Sequence, residues 1–457
     1  MKSKKIKNIL KGTLLTILLI VIGAGVYNYP KLAIISGYAA KNMASGVFFA
    51  ERSEQSINEN DNNVPLIKLA DSELEPAKKQ ASASVFGLNK RTAVYREGLG
   101  SSLVGEDYDP KALLERPQRK MNARSLPFPY GNNGLRDSTF KNIDYQKLQK
   151  ALDYAFSKPE LQRTTAAVIV YKDHLIAEKY APGFTKETPL LGWSMNKSII
   201  ATLFGILQHR GELNVMDAAP ISQWQEDERR NITLNHLLRM QSGLEWSEDY
   251  GGISDVNKML YLDADVTKAQ IEKKAIGEPG EIWNYSSGTS NLLSGVLRDY
   301  LDTRQAYLDF PYTELIDKIG MHSMLIETDE VGNFIASSYG WANARDWAKF
   351  GLLYLHRGNW NGEQLFAPEW VDYATAPTRN TDGVYGAHFW LNSGGRYPDV
   401  PEDMFSADGH QGQFVIIIPS LDLVVVRMGF ALYPDFDLNT FLKHIIEAIG
   451  VDRNDLN

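Results

Sequence analysis

The chain has 457 residues, room for one large or two modest domains. Its 44% hydrophobic and 11% aromatic content is that of a folded protein, which excludes a disordered chain. A net charge of -8, with no basic block outside the extreme N-terminus, gives nucleic acid no electrostatic footprint. The absence of cysteine excludes disulfides, thiol nucleophiles, cysteine zinc sites and a lipidated cysteine anchor.

The chain opens on Lys2, Lys4, Lys5, Lys7 and Lys11, then runs uncharged from 12 to 30 through the core Leu14-Leu15-Thr16-Ile17-Leu18-Leu19-Ile20-Val21-Ile22. No acidic residue precedes Glu51. A helix of that length spans close to the ~30 Å hydrocarbon core of a bilayer. Lysines on its N-terminal side place that end in the cytoplasm. The expectation is a cytoplasmic basic tail over 1–11 and a single-pass anchor in the cytoplasmic (inner) membrane over 12–30. The rest of the chain then lies on the periplasmic or extracellular side. A cleaved secretory signal is the rival reading, although Gly23-Ala24-Gly25 gives small residues without an A-x-A site.

Residues 31–140 read as an accessory linker with strands, and 141–457 as the main domain. Asn58-Glu59-Asn60-Asp61-Asn62-Asn63 reads as a solvated loop. Residues 148–156 have the pattern of a helix. The runs 165–171 and 175–180, joined by Lys172-Asp173-His174, predict a hairpin. A long helix follows, with Met195, Ile199, Leu203, Phe204, Ile206 and Leu207 on its apolar spacing and Gly211 at its end. A helix-rich stretch occupies roughly 232–360. The runs 414–419 and 421–427 predict a second hairpin, and 441–449 a final amphipathic helix. Strands at both ends with helices between them imply an α+β fold. Its antiparallel sheet is completed by the two ends of the domain, with an all-helical region between.

Ser194-Met195-Asn196-Lys197 opens the long helix. Serine and lysine three apart lie one turn apart on one helix face. An amine that can lose its proton there turns a hydroxyl into a nucleophile. Spacing alone decides little, because Ser138-Thr139-Phe140-Lys141 has the same S-x-x-K form. There Asp137 or Ser138 reads as a loop or capping residue and Lys141 as a solvated charge. Context favours the Ser194 copy. Two further elements follow it in order, Trp283-Asn284-Tyr285-Ser286-Ser287-Gly288 and Asp408-Gly409-His410-Gln411-Gly412-Gln413.

These three elements, with the stretches 232–244 and 338–351, resemble the class C β-lactamase and penicillin-binding-protein-like serine hydrolases over about 145–450. Among them the chain looks most like the amidase and esterase branch that includes the 6-aminohexanoate-dimer hydrolases. The resemblance implies a β-lactamase/transpeptidase-like fold and an acyl-enzyme on Ser194. Lys197, or Lys197 with Tyr285, is then the general base, Tyr285 having a phenol pKa depressed by the Lys197 cation. The backbone N–H groups of Ser194 and Gln413 would form the oxyanion hole. His410, Gly412 and Ser287 would meet substrate, Gly412 by letting the strand backbone approach closely. No cofactor or metal is implied.

Two departures bear on substrate. Ser287 stands where the family has asparagine, which removes an amide donor. His410 stands where it has lysine, which weakens carboxylate binding unless an arginine substitutes. Both favour a small-molecule or short-peptide amide or ester over a penicillin. A DD-peptidase acting on cell-wall peptides and a catalytically silent ligand-binding domain are the alternatives. Trp193, Trp283, Tyr339 and Trp390 are candidates for an apolar pocket wall. There is no G-x-S-x-G elbow, no H-E-x-x-H, and no two of the eight histidines are four apart.

Overall fold

A computed structural model describes residues 2–109, 115–121, 125–131, 134–136, 139–432 and 436–450. Asp137 and Ser138 lie outside the described residues.

The main sheet has six strands, all antiparallel, in the order β7-β8-β9-β10-β5-β6. Strands β5 (Thr164–Tyr171) and β6 (His174–Tyr180) come from the start of the domain. Strands β7 (Trp390–Leu391), β8 (Phe405–Gly409), β9 (Gln413–Ile418) and β10 (Leu423–Gly429) come from its end. The halves join where β10 pairs with β5, Val425 opposite Ile169. Both hairpins expected from sequence are therefore present in one sheet.

Alternation along the strands explains the layers. Val168, Val170, Val415, Ile417, Val424 and Val426 belong to the core shared with the helical region, including Trp347 and Phe350 of α6 (Ala344–Leu355). Ala167, Ile169, Ile416, Ile418 and Val425 belong to the core shared with α3 (Tyr145–Ala155) and α7 (Leu438–Ala448). A strand covered on both faces has no room for polar alternation, so it reads as an unbroken apolar run. At Gly351 of α6 a Cβ would stand 2.7 Å from Val424, so glycine is what lets that helix reach the sheet.

The N-terminal region departs most from expectation. Helix α1 (Lys2–Phe48) does not end at residue 30 but continues through Pro30. Its first half is exposed, and the helix is long and apolar enough to cross a membrane, a property that signal sequences share. From Ile34 onward it is buried against a four-stranded antiparallel sheet, β1 (Ala70–Glu75), β2 (Gln80–Val85), β3 (Leu88–Arg96) and β4 (Gly100–Val104). The small residues Ala39, Ala40 and Ala44 let the sheet approach the helix. The stretch 58–63 is no solvated loop. Helix α2 (Glu54–Glu59) occupies its start. Asp61 then pairs with Arg52 at 2.7 Å in a buried contact, and Asn62 donates to the Ala39 carbonyl at 3.3 Å. The charges pair with each other and the amide bonds the helix backbone, and composition alone does not show that.

One buried carboxylate gathers several of the contacts between this region and the main domain. Glu327 pairs with Lys41 of α1 at 2.8 Å and accepts from the Ser45 hydroxyl at 2.7 Å and the Ser101 N–H at 2.8 Å. Both charged side chains are essentially inaccessible. Removing one partner of such a pair leaves the other buried and uncompensated. Glu327→Ala should therefore lower unfolding free energy by about 3–5 kcal/mol, read as a fall in the urea midpoint of the detergent-solubilised protein. A loss within the range of surface substitutions would show that Lys41 finds another partner.

Candidate active site

Ser194 sits in a 3-10 turn (Trp193–Met195) leading into α4 (Asn196–His209). Trp193 has φ of +48°, in the left-handed region that disfavours a bulky side chain. Its indole is held among Tyr38 of α1, Tyr339 and His410, with ring centroids 5.6–5.8 Å away. Such packing holds a backbone strain of order 1–3 kcal/mol at the residue before the nucleophile. Strand β8 passes so close that a Cβ on Gly409 would stand 2.1 Å from the Gly192 carbonyl.

Lys197 is buried, and its Nζ donates to Ser194 Oγ at 3.0 Å, Ser287 Oγ at 2.9 Å and the Ser337 carbonyl at 2.9 Å. Burial pushes the amine down to about 8, with the charge of Glu248 acting in the opposite sense. A neutral amine has two N–H donors and one lone pair. Ser337 O accepts one hydrogen. Ser287 Oγ accepts the other, because its own hydrogen goes to Glu248. The lone pair is left facing the Ser194 hydroxyl. Glu248 also accepts from the Ser287 N–H at 2.9 Å, from the Tyr250 hydroxyl at 2.8 Å and from the Trp246 indole. The carboxylate thus sets the direction of the chain Ser194, Lys197, Ser287.

Tyr285 stands just before α5 (Ser287–Asp299), whose cap is Ser286 accepting from the Thr289 N–H at 3.0 Å. Lys197 Nζ lies 4.9 Å from the centre of the Tyr285 ring. The depressed phenol pKa expected from sequence is not what this surrounding produces. Burial, then the charge of Glu248, push it up; the Ser194 hydroxyl acts the other way but does not prevail. Tyr285 is a neutral phenol and Lys197 is the group set near neutrality.

A cavity of about 260 Å³ opens over Ser194, with Tyr285, Trp390, His410 and Gly412 on its wall. The other expected contacts separate. Ser287 is fully buried behind the nucleophile, facing Lys197 and Glu248, so it is no substrate contact. The Gln413 side chain is also buried, its amide turned to Gly429 and the His410 carbonyl. Gly412 has φ of +74°, and a Cβ there would stand 2.7 Å from Arg427. The turn and that guanidinium account for this glycine. Of the four aromatic candidates, Trp390 lines this cavity and Trp193 a neighbouring one. Trp283 packs on Tyr285 from behind, and Tyr339 is fully buried.

Four residues at the site were missed. Arg427, fully buried, donates to the Gln411 carbonyl at 3.0 Å and the Gly412 carbonyl at 2.7 Å, bracing the turn after β8. A lone arginine inside an apolar strand was the signal for it. Arg396 lies over the Trp390 ring at 5.3 Å, the cavity's arginine, with Asp408 3.7 Å away as counter-charge. Burial pushes Asp408 up to about 6, against the pull of Arg396. Glu248 and Tyr250 follow Glu245 and flank Asp249 in an ordinary polar stretch, with nothing to single them out.

A serine, a desolvated lysine one turn on and a neutral phenol are the groups that acyl transfer through a serine calls for. The Beta-lactamase family model matches residues 149–444, and the chain belongs to that family of serine hydrolases. The 6-aminohexanoate-dimer hydrolase of Paenarthrobacter ureafaciens is 22% identical over 304 residues, covering 60% of this chain and 74% of that protein. A family VIII carboxylesterase superimposes with a TM-score of 0.54 at 15% identity, over 69% of this chain and 98% of the other. A penicillin-binding protein homologue from Caulobacter crescentus gives 0.54 at 15%, over 69% and 99%. At these identities the structural likenesses establish the fold.

Because the Glu248 charge holds the Lys197 proton more firmly, Glu248→Gln should move the acidic limb of the pH profile of kcat/KM to lower pH. An unmoved limb would show that Glu248 does not act on the titrating group.

Proposed function

We propose that the protein is a membrane-anchored serine hydrolase that cleaves an ester or amide through an acyl-enzyme on Ser194. The observation that carries this reading is the contact of the buried Lys197 Nζ with Ser194 Oγ at 3.0 Å, with Ser287 Oγ and the Ser337 carbonyl as its two other partners. Lys197 takes the hydroxyl proton as Ser194 Oγ bonds to the carbonyl carbon. When the tetrahedral adduct collapses, the bond to the alcohol or amine breaks. That leaving group takes a proton from the Lys197 ammonium by way of the Tyr285 phenol. Water then attacks the acyl carbon with the same groups in reverse roles. The N–H groups of Ser194 and Gln413 hold the oxyanion. His410 and Gly412 at the cavity wall meet the substrate.

Arg396 is already paired with Asp408, which makes carboxylate recognition a secondary feature and favours a neutral ester or amide over a penicillin or D-alanyl peptide. The anchor is the exposed part of α1, with residues 1–11 in the cytoplasm. Tyr27 and Tyr29 at the far end of the exposed stretch have the placement of an interfacial aromatic belt. The catalytic domain then stands on the periplasmic or extracellular face.

Labelling with a fluorophosphonate and with a fluorescent penicillin tests this. Fluorophosphonate labelling that vanishes in Ser194→Ala, with no penicillin adduct, is the expected result. A Ser194-dependent penicillin adduct would move the substrate to cell-wall peptides, and unchanged labelling of Ser194→Ala would place the nucleophile elsewhere.

The pH profile gives a second test. Since the rate needs neutral Lys197, kcat/KM should rise with pH and level off above about 8. Tyr285→Phe should cost about 10²–10⁴-fold in kcat. A profile flat from pH 6 to 9, on the order of the range where enzymes place such bases, would remove Lys197 from the role of base.

A further inference from the structure

A second cavity, of about 330 Å³, adjoins the catalytic one and shares Tyr250, His410 and Leu432 with it. Its remaining wall is largely apolar. Ile34, Ile35 and Tyr38 come from α1 and Val64 to Ile67 from the loop before β1. The partition between the cavities is a set of rings: His410 stacks on Tyr250 at 5.5 Å and meets Trp193 edge-on at 5.6 Å. Tyr250 and His410 are both exposed, so no packed core holds this partition shut.

The position of the second cavity is as informative as its lining. Lys31, at its edge, is the first charge after the exposed apolar stretch of α1. The tip of the β2–β3 hairpin lies at the same level, since Asn89 donates to the Tyr29 carbonyl at 2.8 Å. That tip exposes Phe86 (74%) and Leu88 (48%), and the cavity loop exposes Leu66 (53%). Apolar side chains clustered at the end of a membrane-length helix mark a surface seated in the bilayer interface.

Resting on the Ser194 hydrolase reading above, we infer that the second cavity holds the hydrocarbon chain of the substrate. The substrate is a membrane-borne ester or amide, a lipid-like amphiphile that enters from the bilayer beside α1. Its carbonyl reaches Ser194 past the Tyr250–His410 partition, and its chain stays among Ile34, Ile35, Tyr38 and Val64. An apolar cavity next to the reacting carbonyl converts chain length into specificity, at about 0.8 kcal/mol for each methylene buried.

The experiment compares p-nitrophenyl esters from acetate to myristate, turned over by the full-length protein in detergent micelles. The variants are wild type, Ile35→Trp, Val64→Trp and Ser194→Ala. Wild type should gain at least about ten-fold in kcat/KM from acetate to a medium or long chain. Each tryptophan variant should keep the acetate rate and lose that gain. The two replacements lie on different segments, so misfolding of one leaves the other. Relative labelling of wild type by short- and long-chain alkyl fluorophosphonates repeats the test with no variant. A Ser194-dependent profile that is flat or peaks at acetate overturns the inference and leaves the hydrolase reading intact. So does a long-chain gain that survives both variants. Hydrolysis independent of Ser194, or no ester hydrolysis together with no Ser194-dependent fluorophosphonate label, overturns both.

Discussion

The candidate site depends on the desolvation of one amine. Lys197 is enclosed by three oxygens, and among the described residues no carboxylate touches it. Burying a cation that way is unfavourable, and the group responds by giving up its proton more readily. The carboxylate that could have cancelled this effect stands one residue away, behind Ser287. An ion pair in contact would have fixed the proton on lysine. A hydroxyl in between transmits orientation and only part of the charge. The burial that lowers Lys197 also lifts Tyr285, whose charged form is the anion. One dry environment therefore drives the amine and the phenol apart, which is what separate proton-accepting and proton-donating tasks would require.

Holding the amine there engages much of the fold. The 3-10 turn with its strained Trp193 aims Ser194, the first turn of α4 supplies Lys197, and Ser286 caps the helix whose first residue is Ser287. Arg427, from the middle of the sheet, braces the turn carrying His410 and Gly412. The sheet and the helical region meet at Ser194, so Ser194 and Lys197 sit between two layers, with Tyr285, His410 and Gly412 brought in by the segments that flank them.

The sequence discloses these parts unequally. Periodicity revealed β5, β9 and β10, because a two-face-buried strand leaves an unbroken apolar run, and the half-buried edge strand β6 followed from the short polar link that joins it to β5. The order of the Ser194, Tyr285 and His410 elements revealed the family. Ser287 was legible as a departure from asparagine, but its meaning was not. A serine can accept and donate at once, and which it does depends on Glu248, brought in from a stretch some forty residues earlier that looks like any solvated acidic loop. The Tyr285 pKa failed for a related reason: nearness to Lys197 is visible in the motif, whereas burial and the charge of Glu248 are properties of the assembled site. At the N-terminus, the polar run 58–63 hid a buried Arg52–Asp61 pair because composition carries no information about partners.

The N-terminal helix is where separation into anchor and enzyme breaks down physically. Its exposed half could be any hydrophobic helix. Its buried half ends in Lys41 and Ser45, both bound to Glu327 of the main domain, and places Tyr38 on the indole of Trp193. That indole precedes the nucleophile and carries the strained backbone. One helix is thus continuous from the apolar span to a ring packed beside the residue before Ser194. Whatever surface surrounds the first half fixes the direction from which the second half, and the cavity along it, can be approached. In this chain the N-terminal helix lines the cavity that adjoins the candidate site and packs on the residue before Ser194, so the apolar span and the site belong to one packed unit.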